Sequence, residues 1–220
     1  MAKVRKAVIT AAGRGTRQYP ASSAVQKEMF PLVDRDGLTK PVIQIIGEEA
    51  LDSGIEEICI VTTPGEESAY RDYFRRMEGQ TLKAFAGKNW AILESEKLGA
   101  FGDRLRFAEQ DLPEGFGHAV YQARAFVGDE PFLLLLGDHV YISNTKDRCA
   151  KQLIRVFEQY MLEAVTGVQP TLERQLHLFG TIKGNAVDGG RGIYRAEMII
   201  EKPTIEQARE KLVTPGLAAG

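Results

Sequence analysis

The sequence has little cysteine, no excess charge of one sign and no long apolar run. Its 220 residues include two cysteines, Cys59 and Cys149, too few for a disulfide framework and without the spacing of a metal site. The formal net charge of −2 gives no reason to expect binding to nucleic acid or to an anionic membrane. The apolar stretch at 131–137 is far too short to span a bilayer. We therefore expect a cytoplasmic protein with a sizeable core.

A glycine-rich loop follows the first apolar run of the chain. Residues 7–12 have the pattern of a buried parallel strand, and Gly13 and Gly15 come directly after it. Glycine lets the backbone bend with positive φ and approach a ligand closely, and the amide N–H groups of such a turn converge on an anion. Arg17 adds a planar guanidinium for phosphate oxygens, and Lys27 adds a second positive charge. The stretch predicts a polyphosphate site.

Two better-known phosphate loops do not match this stretch. A dinucleotide-binding fingerprint needs a third glycine where Gln18 stands, and a P-loop needs a Gly-Lys-Ser/Thr sequence, which is absent. An oxidoreductase of the same fold class is therefore disfavoured. A Gly-x-Gly turn can also be purely structural, and that alternative stays open for the loop taken alone.

The loop and the segment after it resemble one enzyme family. Residues 12–17 are Ala-Gly-Arg-Gly-Thr-Arg, and residues 27–34 are Lys-Glu-Met-Phe-Pro-Leu-Val-Asp. Both stretches resemble the bacterial UTP–glucose-1-phosphate uridylyltransferases, which are sugar nucleotidyltransferases. The resemblance implies that Arg17 and Lys27 are catalytic and act on the phosphates. It also implies nucleotide contacts for a set of neighbouring residues: Ala12, Gly13, Gly15, Thr16 and Glu28.

A second block begins at Gln110 and continues through Gly115, Gly117 and His118. The glycines allow the main chain to lie against a flat ligand, and a side-chain amide donates and accepts together, which matches the edge of uracil. The block resembles the family's Gln…Gly-x-Gly-His-Ala pattern. By that resemblance Gln110 and Gly115 bind the uracil, and His118 belongs to the wall of the nucleotide site. A tight turn that enters a helix is the alternative for the two glycines.

A carboxylate follows the apolar run at 131–137, which predicts a fully buried strand ending at Asp138. Ligands of open α/β sheets bind at the carboxyl ends of strands, and a lone carboxylate there suits Mg²⁺. In the resembling family this aspartate holds the catalytic metal, which implies Mg²⁺ as the cofactor. The alternative is an aspartate that caps the next turn. We do not expect His139 to be a ligand, because Mg²⁺ prefers oxygen.

The C-terminal part of the chain carries the residues that the resemblance assigns to the sugar. Gly180, after Phe179, resembles a family position beside the sugar, and residues 201–203 match the family's Glu-Lys-Pro. The match implies that Gly180 and Glu201 bind glucose and that Lys202 is catalytic and draws the sugar phosphate into line. Glu-Lys-Pro alone is a common surface sequence, so the assignment depends on the three earlier blocks.

The chain departs from the family pattern at a few positions. Ser22 and Ser23 stand where the family has Thr-Lys, and Gln26 stands where it has proline, so one basic side chain is missing near the loop. Gly137 replaces the family's proline before the aspartate, and residues 35–39 are a small insertion.

The order of the apolar runs predicts an α/β fold. The strand at 55–62 completes a βαβ unit with the first strand, and further strands are expected at 105–110 and 164–168. Two strands around a turn at 184–192 predict a hairpin beside the sheet. The resemblance implies a Rossmann-like three-layer sandwich with a mostly parallel mixed sheet, in one domain over 1–220 that lacks the family's C-terminal segment.

These expectations combine into one reaction hypothesis. The resemblance implies Mg²⁺-assisted, in-line transfer of a uridylyl group from UTP to glucose 1-phosphate, which gives UDP-glucose and pyrophosphate. Another sugar nucleotidyltransferase, such as a thymidylyltransferase, is the alternative with the same chemistry. A non-catalytic nucleotide-sugar-binding protein is the alternative of another class. The expected partners are UTP and glucose 1-phosphate, without nucleic acid or membrane, and a homo-oligomer stays open.

Overall fold

The structure is a computed structural model that describes residues 3–187 and 192–216. Its strands are β1 (Lys6–Thr10), β2 (Pro31–Val33), β3 (Thr39–Pro41), β4 (Glu57–Thr62), β5 (Leu105–Glu109), β6 (Phe132–Leu136), β7 (Gly180–Ala186) and β8 (Tyr194–Glu201). Its helices are α1 (Val42–Leu51), α2 (Glu67–Tyr73), α3 (Gly79–Ala84), α4 (Asn89–Gly102), α5 (Phe116–Gln122), α6 (Arg124–Val127), α7 (Cys149–Tyr160) and α8 (Ile205–Lys211). The chain divides into two compact units, Met1–Thr166 and Gly167–Gly220. The single domain expected from the sequence stays a prediction.

A four-stranded parallel sheet forms the centre of the first unit. Its strand order is β5-β4-β1-β6, and each neighbouring pair is parallel. Thr10 pairs with Val61 on one side and with Leu136 on the other, so the loops after these strands leave the sheet at the same edge. That edge also carries Gln110, after β5, and Asp138, after β6. The predicted α/β class is confirmed.

Side chains of β1 alternate between the two faces of the sheet, and helices cover both faces. Ile9 packs in one core with Ile43 of α1. Val8 packs in the opposite core with Cys59 of β4 and Ala119 of α5. Both faces are apolar because neither meets water, as is typical of a parallel sheet between two helical layers. The three-layer sandwich is therefore confirmed.

A buried lysine anchors the β2–β3 hairpin, whose turn contains the insertion at 35–39. The Nζ atom of Lys40 lies 2.9 Å from Asp34, 2.7 Å from Asp36 and 2.9 Å from Glu48 of α1. The side chain of Lys40 is only 7% exposed, so its charge is shielded from water and balanced by these carboxylates. This cluster fixes the hairpin to α1 directly after the segment that carries Lys27.

The second unit is built on the antiparallel hairpin of β7 and β8. Residues 188–191 of the predicted hairpin turn lie outside the described residues. Thr204 and Gln207 form a capping box at the start of α8, as the Thr-Ile-Glu-Gln sequence predicts, and each side chain bonds the other residue's backbone N–H. Within the ranges that the structure describes, no helix is long and apolar enough to cross a membrane.

One predicted strand is wrong, and one helix is shorter than its pattern suggested. Residues 164–168 have no regular secondary structure. Val168 is 65% exposed, so this short run buries little apolar surface, and Gly167 further lowers its strand propensity. The sequence pattern of residues 144–160 predicts a single helix, but the helix begins only at Cys149, because residues 143–147 bond their own side chains and carbonyls instead.

We predict that Lys40→Met lowers the free energy of unfolding by about 3 kcal/mol at pH 7, because it removes one partner of a buried charge cluster. Burial raises the pKa of Asp34, but its hydrogen bond from Lys40 lowers that pKa overall, and the same lysine lowers the pKa of Asp36. This stabilisation is present above the unfolded-state pKa values and is lost as the pH falls through the folded values.

The difference between wild type and Lys40→Met should therefore shrink below about pH 4. Urea unfolding at several pH values measures it. Lys97→Met is the control, because Lys97 pairs with Glu94 through a side chain that is 70% exposed. A loss at Lys40 no larger than at Lys97, or one independent of acid pH, would contradict the proposed role of the cluster.

Candidate functional site at the carboxyl edge of the sheet

The loop after β1 has the geometry that its glycines predict. Gly15 has a φ of 61°, in the left-handed region, and precedes the short 3₁₀ turn Thr16–Gln18. A Cβ atom at Gly13 would lie 3.1 Å from Lys27 Nζ. The missing side chain therefore lets the loop and the lysine lie against each other. Ala12, which leads from β1 into the loop, is half-buried.

Exposed positive charge follows within the same loop. Thr16 and Arg17 are exposed, as is Arg14 between the two glycines. No acidic partner of either arginine is found in the part of the chain that the structure describes. Their guanidinium groups are thus available to an anion, whereas the charge of Lys27 is already engaged.

Lys27 joins the glycine loop to the end of β6. Its Nζ atom lies 2.6 Å from Asp138 Oδ2 and 3.3 Å from Glu28 Oε1. Burial lowers the pKa of Lys27, but the hydrogen bond to Asp138 and the charge of Glu28 outweigh it and raise the pKa. Burial likewise raises the pKa of Asp138, but the bond from Lys27 lowers it overall. Both groups are therefore charged at neutral pH.

Glu28 is the buried carboxylate of this cluster. It is 1% exposed, and burial raises its pKa to about 7 although Lys27 acts in the opposite direction. Its Oε1 atom is buried, and its contact with Lys27 at 3.3 Å is an ion pair without the geometry of a hydrogen bond. Because Glu28 is buried against Lys27, we expect it to influence a ligand indirectly, by holding the lysine in place. Direct contact between Glu28 and a nucleotide stays a prediction.

Gln110, Gly115 and His118 meet at the end of β5. The side-chain Nε2 of Gln110 donates to Gly115 O at 3.1 Å and lies 3.1 Å from His118 Nδ1. A carbonyl oxygen only accepts, so the amide must turn its NH₂ group to Gly115. The amide oxygen of Gln110 is then left for a donor. Gly115 has a φ of 102°, which a residue with a side chain rarely adopts.

A residue that the sequence analysis missed fixes the His118 ring. Gln122 Nε2 lies 2.8 Å from His118 Nε2, and His118 Nδ1 lies 3.0 Å from Leu112 O. A ring with its proton on Nδ1 donates to Leu112 O and accepts from Gln122, and the Gln110 NH₂ group then lies beside Nδ1 without a hydrogen bond to it. The spacing of four residues on a helix was the available signal for Gln122.

The residues assigned to the sugar lie in the second unit. Gly180 pairs with Glu201 across the hairpin, and a Cβ atom at Gly180 would lie 2.9 Å from Glu201 Oε2. Lys202 N donates to Phe179 O at 3.1 Å, and Lys202 has a φ of 47°. The side chains of Glu201 and Lys202 are 72% and 62% exposed. The hairpin thus brings these residues together, and their roles stay predictions.

The donor chemistry at Asp138 fits Mg²⁺. Among the described residues, no group of three or more His, Cys, Asp or Glu side chains could hold a metal ion. Mg²⁺ is usually bound through one or two carboxylates, with phosphates and waters completing its shell. Asp138 offers a partly exposed carboxylate beside a phosphate-type loop. The site therefore suits a metal that arrives with a polyphosphate.

A glycine loop, basic side chains and a carboxylate at the carboxyl edge of a parallel sheet define a nucleotide-binding α/β protein. Comparison with known families agrees with this class. The model of the nucleotidyl transferase family matches residues 6–217, and the chain belongs to that family.

Relatives with names and known structures are similar over nearly the whole chain. The UTP–glucose-1-phosphate uridylyltransferase YngB of Bacillus subtilis (strain 168) is 39% identical over 214 residues, which are 97% of this chain and 68% of the relative. A UDP-glucose pyrophosphorylase solved with UDP-glucose has a TM-score of 0.75 and 28% identity, over 92% of this chain and 70% of that chain. A UTP-bound UGPase from Acinetobacter baumannii has a TM-score of 0.71 and 26% identity, over 92% of this chain and 69% of that chain.

Proposed function

We propose that this chain transfers the uridylyl group of UTP to glucose 1-phosphate and so forms UDP-glucose and pyrophosphate. The observation that carries the proposal is 39% identity, over 97% of the chain, to a protein named for that activity. The carboxyl edge of the sheet supplies the matching chemistry, with a phosphate loop, a lysine and a carboxylate in contact. Cytoplasmic location and assembly with further copies of the chain stay predictions from the sequence.

The reaction needs positioning and charge compensation and no nucleophile from the protein. A phosphate oxygen of glucose 1-phosphate attacks the α-phosphorus of UTP in line, and the bond to the bridging oxygen of the β-phosphate breaks as pyrophosphate leaves. Two anions must meet, so fixed positive charge lowers the barrier. Arg17 and Lys27 provide it on the nucleotide side. Ala12, Gly13, Gly15 and Thr16 bring backbone N–H groups to the same phosphates.

Nucleotide binding changes the partners of Lys27. In the described structure its ammonium group is held by Asp138 at 2.6 Å. A triphosphate beside Gly13 would offer Lys27 oxygens of higher negative charge, so the lysine turns from Asp138 to the phosphates. Asp138 would then be free to hold Mg²⁺, which would supply positive charge to the phosphate oxygens. The change of partner at Lys27 therefore couples UTP binding to Mg²⁺ binding in this proposal.

The base is selected at Gln110 in this proposal. Its NH₂ group is bound to Gly115 O, so its amide oxygen would be the group that accepts a hydrogen bond from a ligand. Uracil carries an N–H donor at N3, whereas cytosine has an acceptor there. Gln110 therefore favours uracil over cytosine, Gly115 lets the base approach the backbone, and His118 closes the wall beside it.

The second unit binds the sugar phosphate in this proposal. The exposed carboxylate of Glu201 accepts hydrogen bonds from glucose hydroxyls, and the exposed ammonium group of Lys202 attracts the phosphate of glucose 1-phosphate. Gly180 leaves room beside the Glu201 carboxylate, which a larger residue would displace.

The direct test is pyrophosphate release from UTP and glucose 1-phosphate in the presence of Mg²⁺. We expect release with this pair and much less with galactose 1-phosphate, with dTTP in place of UTP, or with EDTA. Higher activity with dTTP would indicate a thymidylyltransferase instead. Binding of UDP-glucose without any release would indicate a nucleotide-sugar-binding protein and would overturn the proposal.

We predict that Asp138→Asn and Lys202→Ala each lower kcat by about 100-fold, which is about 3 kcal/mol of barrier. The first removes the carboxylate that would hold Mg²⁺. The second removes the positive charge that would attract the attacking phosphate. Steady-state kinetics measure both.

Two lysines away from the site serve as controls for these variants. Lys97→Ala, in the first unit, and Lys211→Ala, in the second, should leave kcat within about twofold, since exposed surface substitutions rarely matter. If Asp138→Asn or Lys202→Ala turned over as fast as these controls, the role given to that residue would be wrong.

A further inference from the structure

Gly137 lies between the end of β6 and Asp138, where three parts of the site meet. Its N–H donates to Thr10 O at 3.0 Å, one residue beyond the last regular pair of β1 and β6. The glycine is buried, and its φ lies outside the left-handed region. Backbone conformation therefore does not explain why this chain has a glycine where the resembling family has proline.

The space around Gly137 does explain it. An added Cβ atom would lie 2.8 Å from the backbone oxygen of Thr10 and 2.9 Å from Glu28 Cγ. Contacts this short do not occur in folded proteins, so one of the neighbours would have to move. Thr10 is held by the strands on both sides of β1, and Glu28 is 1% exposed, so both neighbours are constrained. The end of β6, which carries Asp138, would therefore move instead.

We infer that Gly137 is a positioning residue for Asp138: its missing side chain lets the end of β6 lie against Thr10 and Glu28, and this contact sets where the Asp138 carboxylate meets Lys27 and the metal. The kinetic test of this inference rests on the proposed function. The inference itself is argued from the contacts around Gly137. Gly137 is buried, and in this inference it acts through Asp138.

The kinetic test is a double-mutant cycle of Gly137→Ala and Asp138→Asn. Gly137→Ala should lower kcat at least tenfold, with circular dichroism confirming the fold. In the Asp138→Asn background the same change should cost less than threefold, because the group it displaces is already disabled. Equal costs in the two backgrounds would mean that Gly137 acts through general packing, and the inference would fall.

A binding test does not depend on turnover. Calorimetry measures the Kd for UTP in the presence of Mg²⁺ and in the presence of EDTA, and the ratio of the two values is the factor by which Mg²⁺ tightens binding. This factor should shrink at least fivefold in Gly137→Ala and stay unchanged in the matched control Gly167→Ala, where an added Cβ meets nothing within 4 Å. An unchanged factor in Gly137→Ala, or no such factor in the wild type, would overturn the inference. If the wild type released no pyrophosphate but the factor still shrank in Gly137→Ala, the inference would be supported and the proposed function would fail.

Discussion

The ion pair between Lys27 and Asp138 joins two distant parts of the chain into one site. The two residues are 111 positions apart in the sequence, and their side chains are 2.6 Å apart and mostly shielded from water. The pair forms because β1 and β6 are neighbours in a parallel sheet, so that the glycine loop and Asp138 leave the same edge. Each of these partly buried charges is stabilised by the other, since an unpaired charge at such a position raises the free energy of the folded state.

This pairing means that the site balances its own charge before a substrate arrives. Lys27 faces Asp138 and the buried Glu28, whereas Arg14 and Arg17 stay exposed on the loop. In the proposed reaction, a polyphosphate is attracted by the arginines and then competes for the lysine. Gly13 matters here because its missing Cβ lets the loop and Lys27 Nζ approach. The same carboxylate serves as a partner for the lysine in the described structure and as a metal ligand in the proposed reaction.

Much of this arrangement could be predicted from the sequence. The apolar run before Gly13 and the run before Asp138 predicted two buried parallel strands, and the rule that ligands bind at the carboxyl ends predicted the site. The pairing of Lys27 with Asp138 could not be predicted, because it depends on strand order and on side-chain reach. The strand expected at 164–168 was wrong, since a short apolar pattern does not show whether a partner strand is present. The contacts of Gly137 likewise appear only in three dimensions.

The central claim, that Asp138 holds Lys27 until a nucleotide takes it over, is tested most directly by UTP affinity without metal. Calorimetry in EDTA should show that Asp138→Asn binds UTP at least fivefold more tightly than wild type, because the lysine is released. In a Lys27→Met background the same substitution should change the affinity by less than twofold, which excludes a general charge effect. Equal or weaker UTP binding by Asp138→Asn, with Lys27 present, would contradict the account.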